Sequence, residues 1–287
     1  AAIYLGRFMR SVLVIDKGNG RSSYPQINEN YLGFPDGIAS MDLRELGKKQ
    51  AAKFGTIFIE DDIDNIEKND ELFVVKSLEH QYKSKSLIIA TGVTDNFPAI
   101  KGIHEYIGKS IFWCITCDGY KTIDKKIVVI GKNNQAASTS LQFLNYTKSL
   151  TFITNCDKDQ VVVSDEFKKR IERNEIKWIC GRVEELKGTD GMIKSVVLED
   201  GTEVEADLIF SMQGAVPNSY LAQKIGMHVD KDGYIKTDLE QRTNIPFAYA
   251  AGDVTRNFSH QVATAVHEGS AAAQTANYDL YDPDQKE

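Results

Sequence analysis

The residues best suited to chemistry are two cysteines separated by two residues, Cys114 and Cys117, followed directly by Asp118. Two intervening residues let both sulfur atoms meet within one turn, so the pair can cycle between a dithiol and a disulfide. The carboxyl group of Asp118 can take a proton from an attacking thiol or give one to a leaving thiolate. The segment therefore predicts a redox-active centre with an adjacent acid/base group.

The cysteine pair could also form a structural disulfide or half of a zinc site. A zinc site needs two further ligands at matching spacing, and the sequence has no second Cys-x-x-Cys and no suitable histidine pair. Structural disulfides are typical of small secreted domains, whereas this chain has 287 residues. Redox chemistry is therefore favoured, and we expect Cys156 and Cys180, which lie in apolar segments, to be buried free thiols.

The composition excludes several classes of protein. Hydrophobic residues make up 42% of the chain and charged residues 26%, which is typical of a globular protein. The formal net charge of −7 disfavours a broad attraction to nucleic acid or anionic membranes. No apolar run reaches the roughly 18 residues that a membrane span needs, and the first residues lack the order of a signal peptide. We expect a cytoplasmic protein that binds neither nucleic acid nor membrane.

The elements that must position the cysteines follow a repeated βαβ pattern. Short runs rich in β-branched residues, at 11–16, 86–90 and 127–130, are typical of buried parallel strands. Asp-Gly pairs at 190–191 and 200–201 predict the turns of a β-meander. The pattern predicts an α/β fold with two dinucleotide-binding, Rossmann-like domains that carry β-meanders, the first domain being discontinuous because the chain returns to it.

The segment Cys114–Tyr120 resembles the active site of the low-molecular-weight thioredoxin reductases. In that family the cysteine nearer the C-terminus faces the flavin, and the other cysteine attacks the disulfide substrate. The resemblance implies that Cys117 is the flavin-proximal sulfur, Cys114 the interchange thiol and Asp118 the acid/base. It also implies a thioredoxin-like protein as substrate and a homodimer as the assembly.

The resemblance covers nearly the whole chain and implies FAD as the cofactor. The segments that carry it are the Asn-Tyr-Leu-Gly-Phe-Pro loop, an Ala-Thr-Gly turn, an Ala-Ala-Gly-Asp motif and the start of a late helix, whose dipole would face the flavin. The implied FAD-binding residues are Asp16 (adenosine ribose), Asn30 (near the ring), Ala90, Thr91 and Gly92 (adenine half), Gly252 and Asp253 (ribityl chain), and Gln261 and Val262 (helix start). Taken alone, Asp16 also suits an ordinary turn aspartate.

The resemblance implies three domain segments. Residues 1–105 form the first part of the FAD-binding domain, 106–234 a central domain with the cysteines, and 235–287 the second FAD part with a C-terminal tail. The family's first strand and its G-x-G-x-x-G turn are absent, and 1–5 is similar to the middle of the helix that follows that turn. We therefore expect the sequence to lack its N-terminal part.

The pyridine-nucleotide site of the central domain departs from the family. Its glycine-rich turn contains Asn133 where a glycine lets the backbone approach a pyrophosphate. The next strand leads to Asp157 where the family has arginines for the 2′-phosphate of NADPH, and an aspartate would repel that phosphate. We expect a disabled NADPH site, as in a subgroup of the family in which some members take electrons from ferredoxin.

The sequence leaves three alternative functions open. The first is an NADPH-dependent thioredoxin reductase with an atypical nucleotide loop. The second is a flavin-dependent oxidase that runs the dithiol reaction in reverse on a small molecule. The third is a non-catalytic flavin-binding scaffold, in which Cys117→Ser would change nothing measurable.

Overall fold

The structure is a computed structural model and describes residues 1–256 and 259–286. Its α-helices are α1 (Ala2–Arg7), α2 (Ser40–Ala52), α3 (Ile115–Asp118), α4 (Asn134–Gln142), α5 (Asp165–Arg173), α6 (Tyr220–Lys224) and α7 (Val262–Asp279). Its strands are β1 (Leu13–Ile15), β2 (Ile27–Asn28), β3 (Ile38–Ala39), β4 (Ile57–Ile59), β5 (Asn65–Lys68), β6 (Phe73–Lys76), β7 (Gln81–Ser84), β8 (Leu87–Ile89), β9 (Val93–Asp95), β10 (Ile111–Phe112), β11 (Ile127–Ile130), β12 (Leu150–Ile153), β13 (Lys177–Ile179), β14 (Val183–Thr189), β15 (Met192–Leu198), β16 (Glu203–Glu205), β17 (Leu208–Ser211), β18 (Ala215–Pro217) and β19 (Ala248–Ala250).

The chain divides into two compact units. Unit 1 contains residues 1–23, 31–94 and 215–287, and unit 2 contains residues 24–30 and 95–214. The chain passes from one unit to the other mainly at 94/95 and 214/215. The boundaries expected from the sequence lie at 105/106 and 234/235. The assignment of cofactors to the two units stays a prediction.

Unit 2 is organised around a five-stranded sheet in the order β10-β17-β11-β12-β13, with every neighbouring pair parallel. Both faces of the sheet are covered, which is why its strands are continuous apolar runs. Ile130, Ile153 and Ile209 pack into the core on one face, and Phe152 and Phe210 pack into the core on the other. Helices α4 and α5 lie in the connections from β11 to β13, and the antiparallel strands β14-β15-β16 form the predicted meander.

Unit 1 contains smaller parallel pairs, β1 with β4 and β8 with β19, and the antiparallel meander β5-β6-β7. Tyr249 of β19 is fully buried with Ala272 and Ala276 of α7, whose small side chains let the helix pack closely. The parallel strands flanked by helices in both units confirm the predicted α/β class. In the described residues, no helix combines the length and the apolar character that crossing a bilayer requires.

The two cysteines outside the pair have different environments. Cys156 is a buried free thiol, as predicted, because it follows β12 into the interior of unit 2. The prediction is wrong for Cys180, whose free thiol is exposed. Cys180 directly follows β13, which stands at the edge of the sheet, and its sulfur accepts a hydrogen bond from the indole of Trp178 at 3.0 Å.

Candidate active site

The predicted redox pair is joined in a disulfide at the start of a single helical turn. Cys114 and Cys117 have Cα atoms 5.3 Å apart. Cys114 is the N-cap of α3, and its sulfur accepts a hydrogen bond from the backbone N–H of Cys117 at 3.1 Å. Both residues are half-buried, so the pair is protected yet remains within reach of a reaction partner. The geometry supports thiol–disulfide chemistry by these two residues.

Asp118 directly follows Cys117 in the chain, at the end of α3, and is buried. Its Oδ1 accepts a hydrogen bond from the ammonium group of Lys121 at 2.9 Å. Burial raises the pKa of the Asp118 carboxyl, while the hydrogen bond and the charge of Lys121 act in the opposite direction. A carboxyl group with a raised pKa exchanges protons closer to neutral pH, which suits an acid/base role.

Aromatic packing holds the strand that leads into the pair. Trp113 makes edge-to-face contacts with Tyr24 and Phe97, each with ring centroids 5.4 Å apart. Such contacts stabilise by about 0.5–1.5 kcal/mol beyond the area they bury. Trp113 is thus a packing residue of unit 2 that fixes the position of the chain just before Cys114.

Two of the predicted flavin segments lie side by side in unit 1. Strands β8 and β19 are parallel neighbours, and the N–H of Ala251 donates to the carbonyl of Ile89 at 3.0 Å. The turns that follow these strands contain Gly92 and Gly252, with φ of +64° and +78°. The predicted residues Ala90, Thr91, Gly92 and Gly252 therefore stand at the same edge, which is where doubly wound folds bind ligands.

Asn218 and Glu268 hold these two turns in shape. The Asn218 side chain donates to the carbonyl of Thr91 at 2.9 Å, and its backbone carbonyl accepts from the Thr91 hydroxyl at 2.7 Å. Glu268 of α7 is buried, and its carboxylate accepts from the N–H of Gly252 at 2.6 Å and from the Thr255 hydroxyl at 3.1 Å. Sequence reasoning assigned a role to neither residue, because their partners lie at the end of a distant strand.

Asp253, the acid of the predicted Ala-Ala-Gly-Asp motif, is paired with Arg21. Their charged atoms are 2.5 Å apart, and both side chains are only about one-fifth exposed. Arg21 belongs to the segment that follows β1, so the ion pair connects this segment to the Ala-Ala-Gly-Asp motif. A partly buried pair of this kind is stronger than a surface ion pair, because solvent screens it less.

Asp16 directly follows β1 and is anchored by α2. Its carboxylate accepts from the N–H of Gly18 at 2.9 Å and pairs with the guanidinium of Arg44 at 3.2 Å. The Nε of Arg44 is buried and has no hydrogen-bond partner within the described part of the chain. An unsatisfied buried donor is costly, and this one belongs to the arginine of α2 that holds the Asp16 loop.

The last two predicted segments complete the set. Gln261 is the N-cap of α7 and Val262 is its first residue, so the helix begins where the resemblance placed its start. Asn30 is exposed, and the contacts of 24–30 assign it to unit 2, while the other predicted FAD residues belong to unit 1. The roles of these residues as FAD ligands stay predictions.

The residues present fit a flavin dinucleotide. A Cβ atom at Gly92 would meet nothing within 4 Å, so the turn leaves open space beside its backbone. The partnerless Nε of Arg44 stands beside the acid predicted to bind the adenosine ribose. The N-terminus of α7 carries the positive end of an 18-residue helix dipole, which favours a negatively charged group.

The turn between β11 and α4, which corresponds to the family's glycine-rich turn, is closed by two of its side chains and by the segment 162–164. Asn133 is the N-cap of α4, and its side-chain oxygen accepts from the N–H of Ala136 at 3.1 Å. The side-chain oxygen of Asn134 accepts from the N–H of Ser164 at 2.7 Å, and the N–H of Val162 donates to the carbonyl of Lys132 at 2.8 Å. The segment 162–164 therefore lies against the turn in which a pyrophosphate would bind.

Asp157 is not an isolated anion. Arg182 forms a two-pronged contact with its carboxylate, with distances of 3.3 Å and 2.6 Å. This hydrogen bonding lowers the pKa of Asp157, which stays ionised and is paired with a cation. The expectation that Asp157 repels a phosphate is weakened, because the positive charge of Arg182 offsets the charge of the carboxylate. The local sequence does not reveal this pairing, since Arg182 lies 25 residues further along the chain. The argument against NADPH depends on Asn133 and its neighbours.

The fold and the two kinds of site define a flavin-dependent disulfide oxidoreductase. The chain matches the family described as pyridine nucleotide-disulphide oxidoreductase over residues 1–269, and it belongs to that family. It is 32% identical to the thioredoxin reductase of Listeria innocua over 96% of this chain and 88% of that protein. It is also 33% identical to a protein of Clostridium pasteurianum described as a 34.2 kDa protein in rubredoxin operon, over 96% of this chain and 91% of that protein.

A solved structure agrees with these sequence relatives. The thioredoxin reductase from Streptococcus pyogenes superposes with a TM-score of 0.90 at 26% identity, covering 97% of this chain and 93% of that one. Thioredoxin reductases are FAD-binding flavoproteins, so the prediction of FAD as cofactor is confirmed. The prediction that this protein is an enzyme of the flavoprotein disulfide oxidoreductase type is confirmed as well.

Proposed function

We propose that this protein reduces the disulfide of thioredoxin or of a thioredoxin-like protein through Cys114 and Cys117, with an electron donor other than NADPH. Ferredoxin is the donor that we propose. Bound FAD supplies the capacity to accept electrons from the donor and pass them to the Cys114–Cys117 disulfide. We further propose a homodimer located in the cytoplasm, where reducing conditions keep Cys156 and Cys180 as free thiols.

The observation that supports a different donor is the hydrogen bond from the N–H of Ala136 to the side chain of Asn133, at 3.1 Å. In doubly wound folds this helix N-terminus offers its N–H groups to the nucleotide pyrophosphate. Here a side chain of the same turn already accepts from one of them. A nucleotide would have to displace that side chain and also share the space with Val162, whose N–H bonds the turn at Lys132.

The description of one sequence relative also supports a donor other than NADPH. The Clostridium pasteurianum protein is described by its place in a rubredoxin operon. A protein donor would dock on the surface and would not need a pyrophosphate cradle. The NADPH-dependent alternative is supported by the relatives named as thioredoxin reductases, and anaerobic bleaching of the flavin separates the two.

The residues of this chain perform the exchange in two steps. The Cys114 thiolate attacks one sulfur of the partner's disulfide; a mixed disulfide forms, and the other partner sulfur leaves as a thiolate that takes a proton from Asp118. Cys117 then attacks the Cys114 sulfur, which restores the Cys114–Cys117 disulfide and releases the remaining partner sulfur. Two electrons have then passed from the dithiol to the partner.

The test is anaerobic bleaching of the flavin in FAD-loaded, full-length protein. Separate samples are mixed with NADPH and with reduced ferredoxin, and the absorbance of oxidised flavin is followed. We expect rapid bleaching by ferredoxin and slow or no bleaching by NADPH. Fast bleaching by NADPH would return the protein to the NADPH-dependent reductases, and failure of both donors would favour the dithiol oxidase.

An Asn133→Gly variant tests the supporting observation itself. Glycine frees the N–H of Ala136, while as an N-cap it destabilises the helix by only a few tenths of a kcal/mol relative to asparagine. We expect faster bleaching by NADPH and unchanged bleaching by ferredoxin. Asn145→Gly, outside the turn in the same unit, is the matched control and should leave both rates unchanged.

A further inference from the structure

The ammonium group of Lys121 is the centre of a small cluster beside the redox pair. It donates to Oδ1 of Asp118 at 2.9 Å and pairs with Oε2 of Glu29 at 3.3 Å. It also lies 5.1 Å from the centroid of the Phe112 ring, within the range of a cation–π contact. Three contacts from three different segments of unit 2 therefore fix the position of one lysine.

The burial of the cluster decreases outward from Asp118. The Asp118 side chain is 11% exposed, that of Lys121 28% and that of Glu29 53%. A nearly buried carboxylate is costly unless it is paired, and Lys121 is the cation that pairs with it. Lys121 reaches Asp118 because it is three residues further along, in the short 3₁₀ turn Gly119–Thr122.

Glu29 acts on both Lys121 and Asp118. Its carboxylate holds the ammonium group of Lys121 in place, and its negative charge raises the pKa of Asp118. Lys121 lowers the pKa of Asp118, and burial raises it. Glu29 and Lys121 are the two charged groups that act on the Asp118 carboxyl from the segments around it.

We propose that Lys121, anchored by Glu29, is a positioning residue for thiol–disulfide exchange: it holds the Asp118 carboxylate beside the cysteine pair in a form able to accept a proton. This inference rests on the proposed acid/base role of Asp118. Before the attack, the proton of the Cys114 thiol passes to the Asp118 carboxylate. After the attack the same proton passes to the thiolate that leaves the partner's disulfide, so no further reactant is needed.

The experiment measures exchange without the electron donor and without the physiological partner. FAD-loaded protein is reduced with dithiothreitol, desalted anaerobically and mixed with oxidised glutathione across a range of pH. Samples are quenched in acid and alkylated, and mass spectrometry of the peptide that contains Cys114 and Cys117 gives the rate of disulfide formation. Cys180, which is exposed, does not contribute to this readout.

The expected result is a rate that rises with pH as Asp118 ionises. In Lys121→Met this rise should move to higher pH by about one unit, since an opposite charge at this distance lowers a carboxyl pKa by roughly 1–3 units. Lys121→Arg should restore the original profile, and Glu29→Gln should move the rise to lower pH. Lys125→Met, which removes an exposed lysine nearby, is the matched control and should leave the profile unchanged.

Two results would overturn the proposal. One is a Lys121→Met profile that keeps its position, including a rate that falls by one common factor at every pH, which would indicate a purely structural role. The other is an Asp118→Asn variant that retains the rise with pH, because the rise would then belong to another group. Neither result depends on ferredoxin, NADPH or thioredoxin, so the proposed function would still stand or fall by the bleaching experiment.

Discussion

At the scale of single residues, the chemistry of the site depends on what surrounds each side chain. The spacing of Cys114 and Cys117 is a local property, and α3 places their Cα atoms 5.3 Å apart. Asp118 differs, because an exposed aspartate is fully ionised at neutral pH and holds no proton to give. Its burial, a tertiary feature, raises the pKa of Asp118 and changes this behaviour, while the local contact with Lys121, three residues further along, acts in the opposite direction.

The cysteine pair leads to a first prediction. Cys117→Ser should abolish reduction of the partner's disulfide, because the mixed disulfide formed by Cys114 can no longer be resolved. The variant should retain its bound FAD, and it should trap a covalent complex with the partner that appears on a non-reducing gel. Absence of turnover and of a trapped complex in both the original protein and the variant would favour the non-catalytic scaffold, and normal turnover of the variant would contradict a role for Cys117.

The burial of Asp118 leads to a second prediction, for stability against pH. The pKa of Asp118 is raised in the folded protein, so the folded state holds the proton more tightly than the unfolded state does. The free energy of unfolding therefore falls as the pH rises through the folded-state pKa. Asparagine does not ionise, and Asp118→Asn should be more stable than the original protein at neutral pH, with a difference that shrinks at lower pH.

Urea unfolding of the oxidised protein, followed by tryptophan fluorescence at several pH values, measures this effect. The control is Asp124→Asn, which changes an exposed aspartate of the same unit and should leave stability nearly unchanged. A lower stability of Asp118→Asn at neutral pH would mean that the ion pair with Lys121 outweighs the cost of burial.

At the scale of elements, the turn between β11 and α4 is determined by close packing. An added Cβ at Gly131 would lie 2.5 Å from the Cβ of Ala136 and 3.0 Å from the carbonyl oxygen of Met212. The strand, the helix and the neighbouring chain after β17 thus approach too closely for any side chain. This close approach, rather than contact with a nucleotide, is sufficient to require glycine here.

We therefore predict that Gly131→Ala destabilises the protein by about 1–3 kcal/mol, the usual cost of overpacking a core. Gly181→Ala is the control, because its Cβ would meet only the Cδ1 of Leu198 at an ordinary 3.7 Å. The two unfolding free energies, measured in urea, should differ by at least about 1 kcal/mol. Equal unfolding free energies of the two variants would show that β11 and α4 can move apart at little cost in stability.

At the scale of the whole molecule, the division into two units provides separate probes. The two tryptophans of the chain, Trp113 and Trp178, both belong to unit 2. Most residues predicted to bind FAD belong to unit 1, on its three separate stretches. Tryptophan emission therefore reports on unit 2, and we expect release of the flavin to report on unit 1.

From this division we predict that excess FAD stabilises unit 1 selectively. At a hundredfold excess over its dissociation constant, a ligand adds about 2.7 kcal/mol to the stability of the unit that binds it. The urea midpoint for flavin release should rise with FAD concentration, while the midpoint from the tryptophan emission maximum stays constant. A parallel rise of both midpoints would contradict independent unfolding and show one cooperative transition.

Much of the fold could be predicted from the sequence, because the patterns involved are local. Buried parallel strands require continuous apolar runs, and 127–130 became the central strand β11, buried on both faces. The Asp-Gly pairs at 190–191 and 200–201 became turns, with positive φ at Gly191 and Gly201 as their geometry demands. Cys114, Cys117 and Asp118 lie within five residues, so their proximity also followed from the sequence.

Tertiary structure alone decided the partners of these residues. Lys121 meets Glu29, Asp253 meets Arg21, and Asp157 meets Arg182. Spacing along the chain does not reveal such pairs, because folding brings together segments separated by up to 232 residues in the case of Asp253 and Arg21. The exposure of Cys180 has the same origin, since only the order of strands in the sheet places β13 at its edge. Local spacing thus determined which groups can react, and long-range packing determined their charge, burial and hydrogen-bond partners.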